Sequence, residues 1–333
     1  MNEPDPTWLA GYLYYTGAQE TFLTQAVAPF VHTVLAQGWA RQFFFIRYGE
    51  RGPHIRLRFQ GPADLLERRV KPQCMTFFQQ YYADYPSQRD EPAWVQDLPA
   101  DTQWFPNNSV QFLAYEPEIE RYGGLAGMRI AEQQFHASSS AVLALLQDSA
   151  HWSYDRALGA AIQLHLTFAA ALGMDWHDAL HFYTSVAQHW SHHPALFAPD
   201  LSPQARAQHR DKIWRTFAQR FAQQQGILVP YHETLWRALM DDVAFEHDWL
   251  NQWRHDMQQV GCALRRAQAQ QQLLVPPERP FDTTGARPTT LQQLWPLFES
   301  YVHMTNNRLG ILNRDEAYLG YLMQQSLQAL SAA

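Results

Sequence analysis

Apolar positions change their period about a third of the way along the chain. Up to about residue 115 they fall in short alternating or continuous runs, with two helical stretches between them. Trp8 to Tyr15 is aromatic-rich and reads as a strand. Glu20 to Gln37 places Phe22, Leu23, Val27, Phe30, Val31 and Leu35 at helical spacing. Phe43–Tyr48 and His54–Phe59 read as two strands joined by Gly49-Glu50-Arg51-Gly52-Pro53, a connection suited to a hairpin. Residues 63–83 carry Leu65, Leu66, Val70 and Phe77 on a helical period, a Pro, Asp and Trp-rich loop runs from about 85 to 108, and Val110–Tyr115 forms a last strand. This βαββαβ order predicts a ferredoxin-like antiparallel sheet with its helices on one face and the other face available.

From about residue 127 the period is almost entirely helical. The spacing predicts helices over Met128–Leu146, Tyr154–Leu172, 176–191 and 204–224, then a long amphipathic run from Trp236 to Arg265. Tyr154–Leu172 is apolar on most sides, so it belongs at the centre. Gln268–Arg287 reads as a loop, and a final pair of helices spans about 290–306 and 314–331. The expected class is α+β: a sheet region over residues 1–126 and a helical region over 127–333, one integrated domain in which the helices complete a cleft.

The alternation in the second hairpin strand has chemical content. Ile55, Leu57 and Phe59 share one face; His54, Arg56 and Arg58 share the other. If the preceding strand buries Phe44 and Ile46, Arg47 joins the arginine face. Such a face favours an anionic ligand, because guanidinium carries a permanent charge and a planar fork of donors. A solvated face with surface ion pairs is the alternative.

Composition narrows the picture. Hydrophobic residues make up 46% and charged residues 17% of the 333, which suits a large buried core and excludes a disordered or coiled-coil chain. The formal net charge of -7 argues against broad nucleic-acid binding but leaves room for a local basic cleft. Cys74 and Cys262 lack metal-motif spacing and read as reduced core thiols. The start, Met-Asn-Glu-Pro-Asp-Pro, has no apolar core of a signal peptide, and no stretch has the length of a membrane span; a soluble cytoplasmic protein is expected.

Three further segments carry candidate chemistry. Tyr115–Gly124 holds Arg121 among glutamates before a Gly-Gly pair. Ser300, His303 and Asn307 fall on one helix face, and histidine can act as acid or base near neutrality. His177-Asp178-Ala179-Leu180-His181 resembles HExxH with Asp in place of the Glu base, but no third ligand follows, so His177, His181, His189, His192 and His193 read as a helix surface and the loop after it. There is no Gly-rich phosphate loop and no GxSxG elbow, so nothing points to a nucleotide cofactor.

The motifs Phe44-Phe45-Ile46-Arg47-Tyr48, Pro53-His54-Ile55-Arg56-Leu57-Arg58-Phe59, Glu120-Arg121-Tyr122-Gly123-Gly124 and Ser300-x-x-His303-Met304-x-x-Asn307-Arg308-Leu309 occur here in one order. Together they resemble the thiopeptide-type bacteriocin biosynthesis family, which includes the C-terminal elimination domain of class I lantibiotic dehydratases. The resemblance runs from Trp8 to about Tyr318. It implies a lyase that removes glutamate from glutamylated Ser or Thr of a ribosomally made precursor peptide, leaving dehydroalanine or dehydrobutyrine. A separate protein would glutamylate the leader-bearing precursor from glutamyl-tRNA. No metal or redox cofactor, no direct nucleic-acid contact and no membrane are implied, and a homodimer is compatible. The family's eliminating residues map onto Arg56, Arg58, Arg121 and His303, which are expected to converge in one cleft. Arg47, His54, Tyr122, Ser300, Asn307 and Arg308 are expected to contact substrate. The same family holds pyridine synthases, which join two dehydroalanines in a formal [4+2] cycloaddition but as a class depart from the eliminating residues. A non-catalytic peptide-binding scaffold is a third reading.

Overall fold

The computed structural model describes residues 7–196, 201–275 and 289–330. They form an α+β protein whose chain divides into two compact units. One comprises Met1–Pro117 and Ser138–Trp152, the other Glu118–Ala137 and Ser153–Ala333.

The first unit is built on an antiparallel sheet of β1 (Thr7–Tyr14), β2 (Gln42–Tyr48), β3 (His54–Gly61) and β4 (Ser109–Phe112), in the order β2-β3-β1-β4. β1 is central and paired on both sides, and all but its first two residues are buried. Helices α1 (Gln19–Phe22) and α2 (Ala28–Ala36) follow β1, and α3 (Ala63–Leu65) and α4 (Lys71–Asp84) follow β3. Each pair is joined by a π-helical turn, Leu23–Val27 and Leu66–Val70, and each turn ends just before a proline, Pro29 or Pro72. Proline has no N–H to continue the regular ladder and its ring crowds the carbonyl four residues back, so a widened turn carries the helix past it.

Register sorts the sheet's two faces. Leu9, Gly11 and Leu13 align with Phe59, Leu57 and Ile55, and Phe43 and Phe45 align with Phe59 and Leu57. This face meets the helices: the ring of Phe30 on α2 lies 5.8 Å from that of Phe59, and a Cβ placed on Gly11 would touch Cys74 Sγ of α4 at 3.6 Å. The other face carries Ala10, Tyr12 and Tyr14 beside Arg58, Arg56 and His54. β2 lies at the sheet edge, where Phe45 N donates to Ser139 Oγ at 3.1 Å, so one buried edge donor is satisfied.

The second unit is helical. It takes the first half of α5 (Gly124–Asp148), together with α6 (Tyr154–Ala171), α7 (Trp176–Trp190), α8 (Pro203–Met240), α9 (Asp248–Ala269), α10 (Trp295–Leu309) and α11 (Asn313–Leu330). Ser153 and Asp175 cap α6 and α7 by accepting backbone N–H bonds from Arg156 and Asp178. Gly310, with φ of 81°, ends α10 in the left-handed conformation and lets the chain reverse into α11.

Several boundaries differ from the sequence reading. The predicted 204–224 helix continues through Gly226 and Pro230 to Met240. Trp236–Arg265 is not one run: the chain turns over Asp241–His247, with Asp242 at φ 55° and the Asn251 amide bonding both the N–H and the carbonyl of Phe245. The last strand is shorter than Val110–Tyr115, and residues 276–287 of the expected loop lie outside the described residues. Cys74 is buried, but Cys262 is exposed rather than a core thiol. Among the described residues no helix is long and apolar enough to cross a membrane.

Candidate active site

Chemistry-bearing side chains gather in two places, one in each unit. In the first unit the sheet's aromatic face holds the cations. Arg58 is only 7% exposed. Its guanidinium carbon lies 4.5 Å from the ring centre of Tyr115 and 5.2 Å from that of Phe44, and Tyr12 hydrogen-bonds to it. Among the described residues no carboxylate pairs with it and its Nε has no partner. Burial pushes its pKa down, and a guanidinium keeps its charge within a protein. A buried cation without a counter-ion is costly, and an arriving anion relieves that cost.

Arg56 stands one pleat away. Its guanidinium carbon lies 3.5 Å from the Tyr48 ring centre, its Nη2 donates to Glu50 at 3.2 Å, and its Nε donates to His54 Nε2 at 3.2 Å. His54 is fully buried, against Tyr12, Tyr14 and Tyr48.

In the second unit α10 carries the candidate base. His303 Nδ1 lies 2.7 Å from Glu316 Oε1. Asn306 Nδ2 donates to the other Glu316 oxygen at 3.1 Å, and Asn306 Oδ1 takes a bond from His165 Nε2 at 2.8 Å. Glu316 is 1% exposed; burial pushes its pKa up, the bonds from His303 and Asn306 pull it back, and nearby Glu299 raises it further. His165, wholly buried on α6, is pushed down to about 4 by burial. The His303 ring stacks on Trp190, 4.9 Å between centres, and Trp190 stacks in turn on His193.

Arg121 sits in the turn before α5. Gly123 and Gly124 follow at φ of 82° and 85°, a conformation that side-chain-bearing residues resist. Arg121 Nη1 donates to Glu118 at 3.0 Å and Nε to Ser300 Oγ at 3.4 Å. Burial lowers its pKa, but Tyr122, Glu118 and Glu299 outweigh that effect and hold it above its usual value. Arg121 and Glu316 both feel the charge of Glu299, which Ser300 and His303 follow on α10.

Several residues expected to touch substrate are placed otherwise. Arg47 lies on the helix face of the sheet, opposite Ile55, and pairs with Gln19 and Glu20. It does not join the arginine face, because Phe44, Ile46 and Tyr48 occupy that side of β2. Tyr122 is buried, stacked on Tyr301 and edge-on to Phe135. Arg308 is fully buried, donating to the Met304 carbonyl and lying over Phe135. His54 and Ser300 are also buried, bonded to Arg56 and Arg121. Asn307 is half-buried. His177, His181, His189 and His192 are exposed on α7 and just beyond it.

Sequence reasoning missed Glu316, Asn306 and His165. The signal for Glu316 was present: positions 303 and 316 lie symmetrically about the turn at Leu309–Gly310, as partners in a helical hairpin do. His165 showed only as a single histidine within an apolar helix.

The fold and these motifs define a recognised class. A family model described as lantibiotic biosynthesis dehydratase C-term matches residues 8–327, and the chain belongs to that family. It is 34% identical over 140 residues to the subtilin biosynthesis protein SpaB of Bacillus subtilis; the match covers 42% of this chain and 12% of SpaB. Among solved structures, the pyridine synthase TbtD from thiomuracin biosynthesis superposes with a TM-score of 0.73 at 14% identity, covering 98% of this chain and 99% of TbtD. TsrL gives 0.65 at 16% identity, covering 99% and 96%. The tRNA-dependent lantibiotic dehydratase MibB from Microbispora sp. 107891 gives 0.55 at 20% identity, covering all of this chain and 29% of MibB. At these identities the likeness to the three structures concerns the fold alone.

Proposed function

We propose that this protein eliminates glutamate from glutamylated Ser or Thr in a ribosomally made, leader-bearing precursor peptide, and that a separate tRNA-dependent protein supplies the glutamyl group. The observation that carries this reading is the His303–Glu316 pair. A carboxylate on Nδ1 leaves Nε2 as the proton acceptor and stabilises the imidazolium that forms. In the proposed step Nε2 takes the Cα proton of the esterified residue. The Cα–H electron pair becomes the Cα=Cβ bond, the Cβ–O bond breaks, and glutamate leaves as a carboxylate. Atoms and charge balance without an oxidant or reductant. Arg56 and Arg58 are suited to the enolate-like oxygen, and such preorganised charge is generally the largest catalytic contribution. Arg121 is suited to a glutamate carboxylate, as its bond to Glu118 illustrates. The strand order β2-β3-β1-β4 and the βαββαβ succession support reading the first unit as a ferredoxin-like split motif.

A synthetic glutamyl-ester peptide tests the reaction. Mass spectrometry should show loss of glutamic acid without tRNA or ATP. Retention of glutamate under conditions where an eliminating homologue removes it refutes the assignment. A second reading is a [4+2] cycloaddition on a dehydrated peptide, since this chain shares its fold with the pyridine synthase TbtD. A peptide carrying two dehydroalanines, offered in parallel, separates the two reactions by product.

A further inference from the structure

His54 has no accessible surface, yet both of its ring nitrogens are committed. Nδ1 lies 2.7 Å from the Gly52 carbonyl, which can only accept, so Nδ1 carries the proton. Nε2 lies 3.2 Å from Arg56 Nε, which can only donate, so Nε2 carries none. The two bonds independently require the same neutral tautomer. Burial, with the nearby charges of Arg56 and Arg58, holds the imidazole pKa down at about 4, which agrees with a neutral ring.

Arg56 is thereby held at three points: Nε on His54, the guanidinium plane against Tyr48, and Nη2 on Glu50. The Glu50 side chain is 67% exposed, so that contact is easily exchanged. Nη1 has no partner among the described residues.

We propose that His54 is a positioning residue for Arg56: as the neutral Nδ1–H tautomer it takes the Nε–H bond, fixes the guanidinium plane and turns the Nη1 and Nη2 edge toward an incoming oxyanion. This rests on the reading of Arg56 as an eliminating residue. The hairpin sets the geometry. Gly52, at φ 103°, turns its carbonyl onto Nδ1, and the alternation of β3 puts residues 54 and 56 on one face. His54 touches no reacting atom in this scheme, and its effect passes wholly through Arg56.

Two measurements on the full-length protein test this. Long-range proton–nitrogen NMR reads the His54 tautomer directly at pH 7. A protonated Nδ1 and a bare Nε2 are expected; the opposite tautomer or an imidazolium overturns the proposal whether or not the protein eliminates glutamate. Kinetics then compare His54→Phe, which keeps a stacking ring but loses both bonds, with His54→Gln, which can donate and accept. His54→Phe should lower kcat by roughly 10- to 100-fold, the scale of a small misplacement of a catalytic group, with little change in KM. His54→Gln should recover most of that loss. In an Arg56→Lys background, which has no Nε–H, His54→Phe should cost less than about 2-fold more. A full additional loss in that background, or equal losses in both His54 variants tracking a fall in Tm, assigns His54 a merely structural role and overturns the proposal. Absence of elimination in the wild-type protein would refute the reaction and leave the tautomer measurement to decide the positioning claim.

Discussion

Of the two nitrogens of His303, Nδ1 is held by Glu316, and only Nε2 is left to take a proton. That asymmetry makes the roles at this site separable. His303→Ala should slow elimination by on the order of 10²–10⁴-fold and leave peptide affinity nearly intact, since one imidazole contributes little to a long peptide interface. Glu316→Gln should cost less than His303→Ala, because the ring remains and only its orientation and charge partner are weakened. Single-turnover rates and peptide affinities for both variants check this; a Glu316→Gln protein as fast as wild type shows that the pair has no part in catalysis. Arg121→Ala should weaken binding of the glutamylated peptide and barely alter binding of the unmodified one, because the lost group is a carboxylate partner. Titration of both peptides against the variant decides it, and equal weakening of the two overturns the assignment.

At the scale of elements, the position of α11 decides whether Glu316 reaches His303. Gly320 lies one turn further along that helix. A Cβ there would sit 2.9 Å from the Ala187 backbone nitrogen and 3.0 Å from its Cα on α7. Backbone cannot move aside as a flexible side chain does, so Gly320→Ala must push α11 away from α7. The expected cost is about 1–3 kcal/mol, the usual range for overpacking a well-fitted contact. Elimination should slow with it, since Glu316 travels on the same helix. A urea midpoint indistinguishable from wild type refutes this account of the α7–α11 contact. The π-helical turns before Pro29 and Pro72 show the same dependence on neighbours: a proline that would break an isolated helix is carried by a local widening whose own apolar residues, Leu23 and Val27 in one turn and Leu66 and Val70 in the other, are buried.

At the scale of the molecule, three buried histidines make stability depend on pH. His54, His165 and His232 are each pushed by burial from an ordinary value of 6.5 down to about 4. Their native pKa lies below the unfolded one, so on acidification the unfolded chain takes up protons first. Their contribution is fully present above about pH 6.5 and is lost as pH falls toward 4. Glu316 and Asp178 act in the opposite sense, since burial raises their pKa and the native state binds those protons first. With three histidines against two carboxyls, urea midpoints should fall steadily from pH 6.5 to 4.5, and replacing His165 by Asn should flatten that slope. A midpoint constant across the window overturns the argument.

The alternation His54-Ile55-Arg56-Leu57-Arg58-Phe59 determined by itself that the imidazole and both guanidiniums share a face, because a strand's period of two is local geometry. The order of the four motifs likewise sufficed for the family. The face taken by Arg47 was not legible. Phe43 to Ile46 is apolar throughout, so no alternation marks which side meets the helices, and only pairing with β3 settles it. The extent of α8 was hidden for a related reason: Gly226 and Pro230 are breakers by local propensity, and the tertiary contacts of the helix override them. The relay from His303 through Glu316 and Asn306 to His165 depended entirely on packing. It joins α10, α11 and α6, and hydrogen bonds between helices are set by where their axes come to rest, which no single helix's sequence encodes.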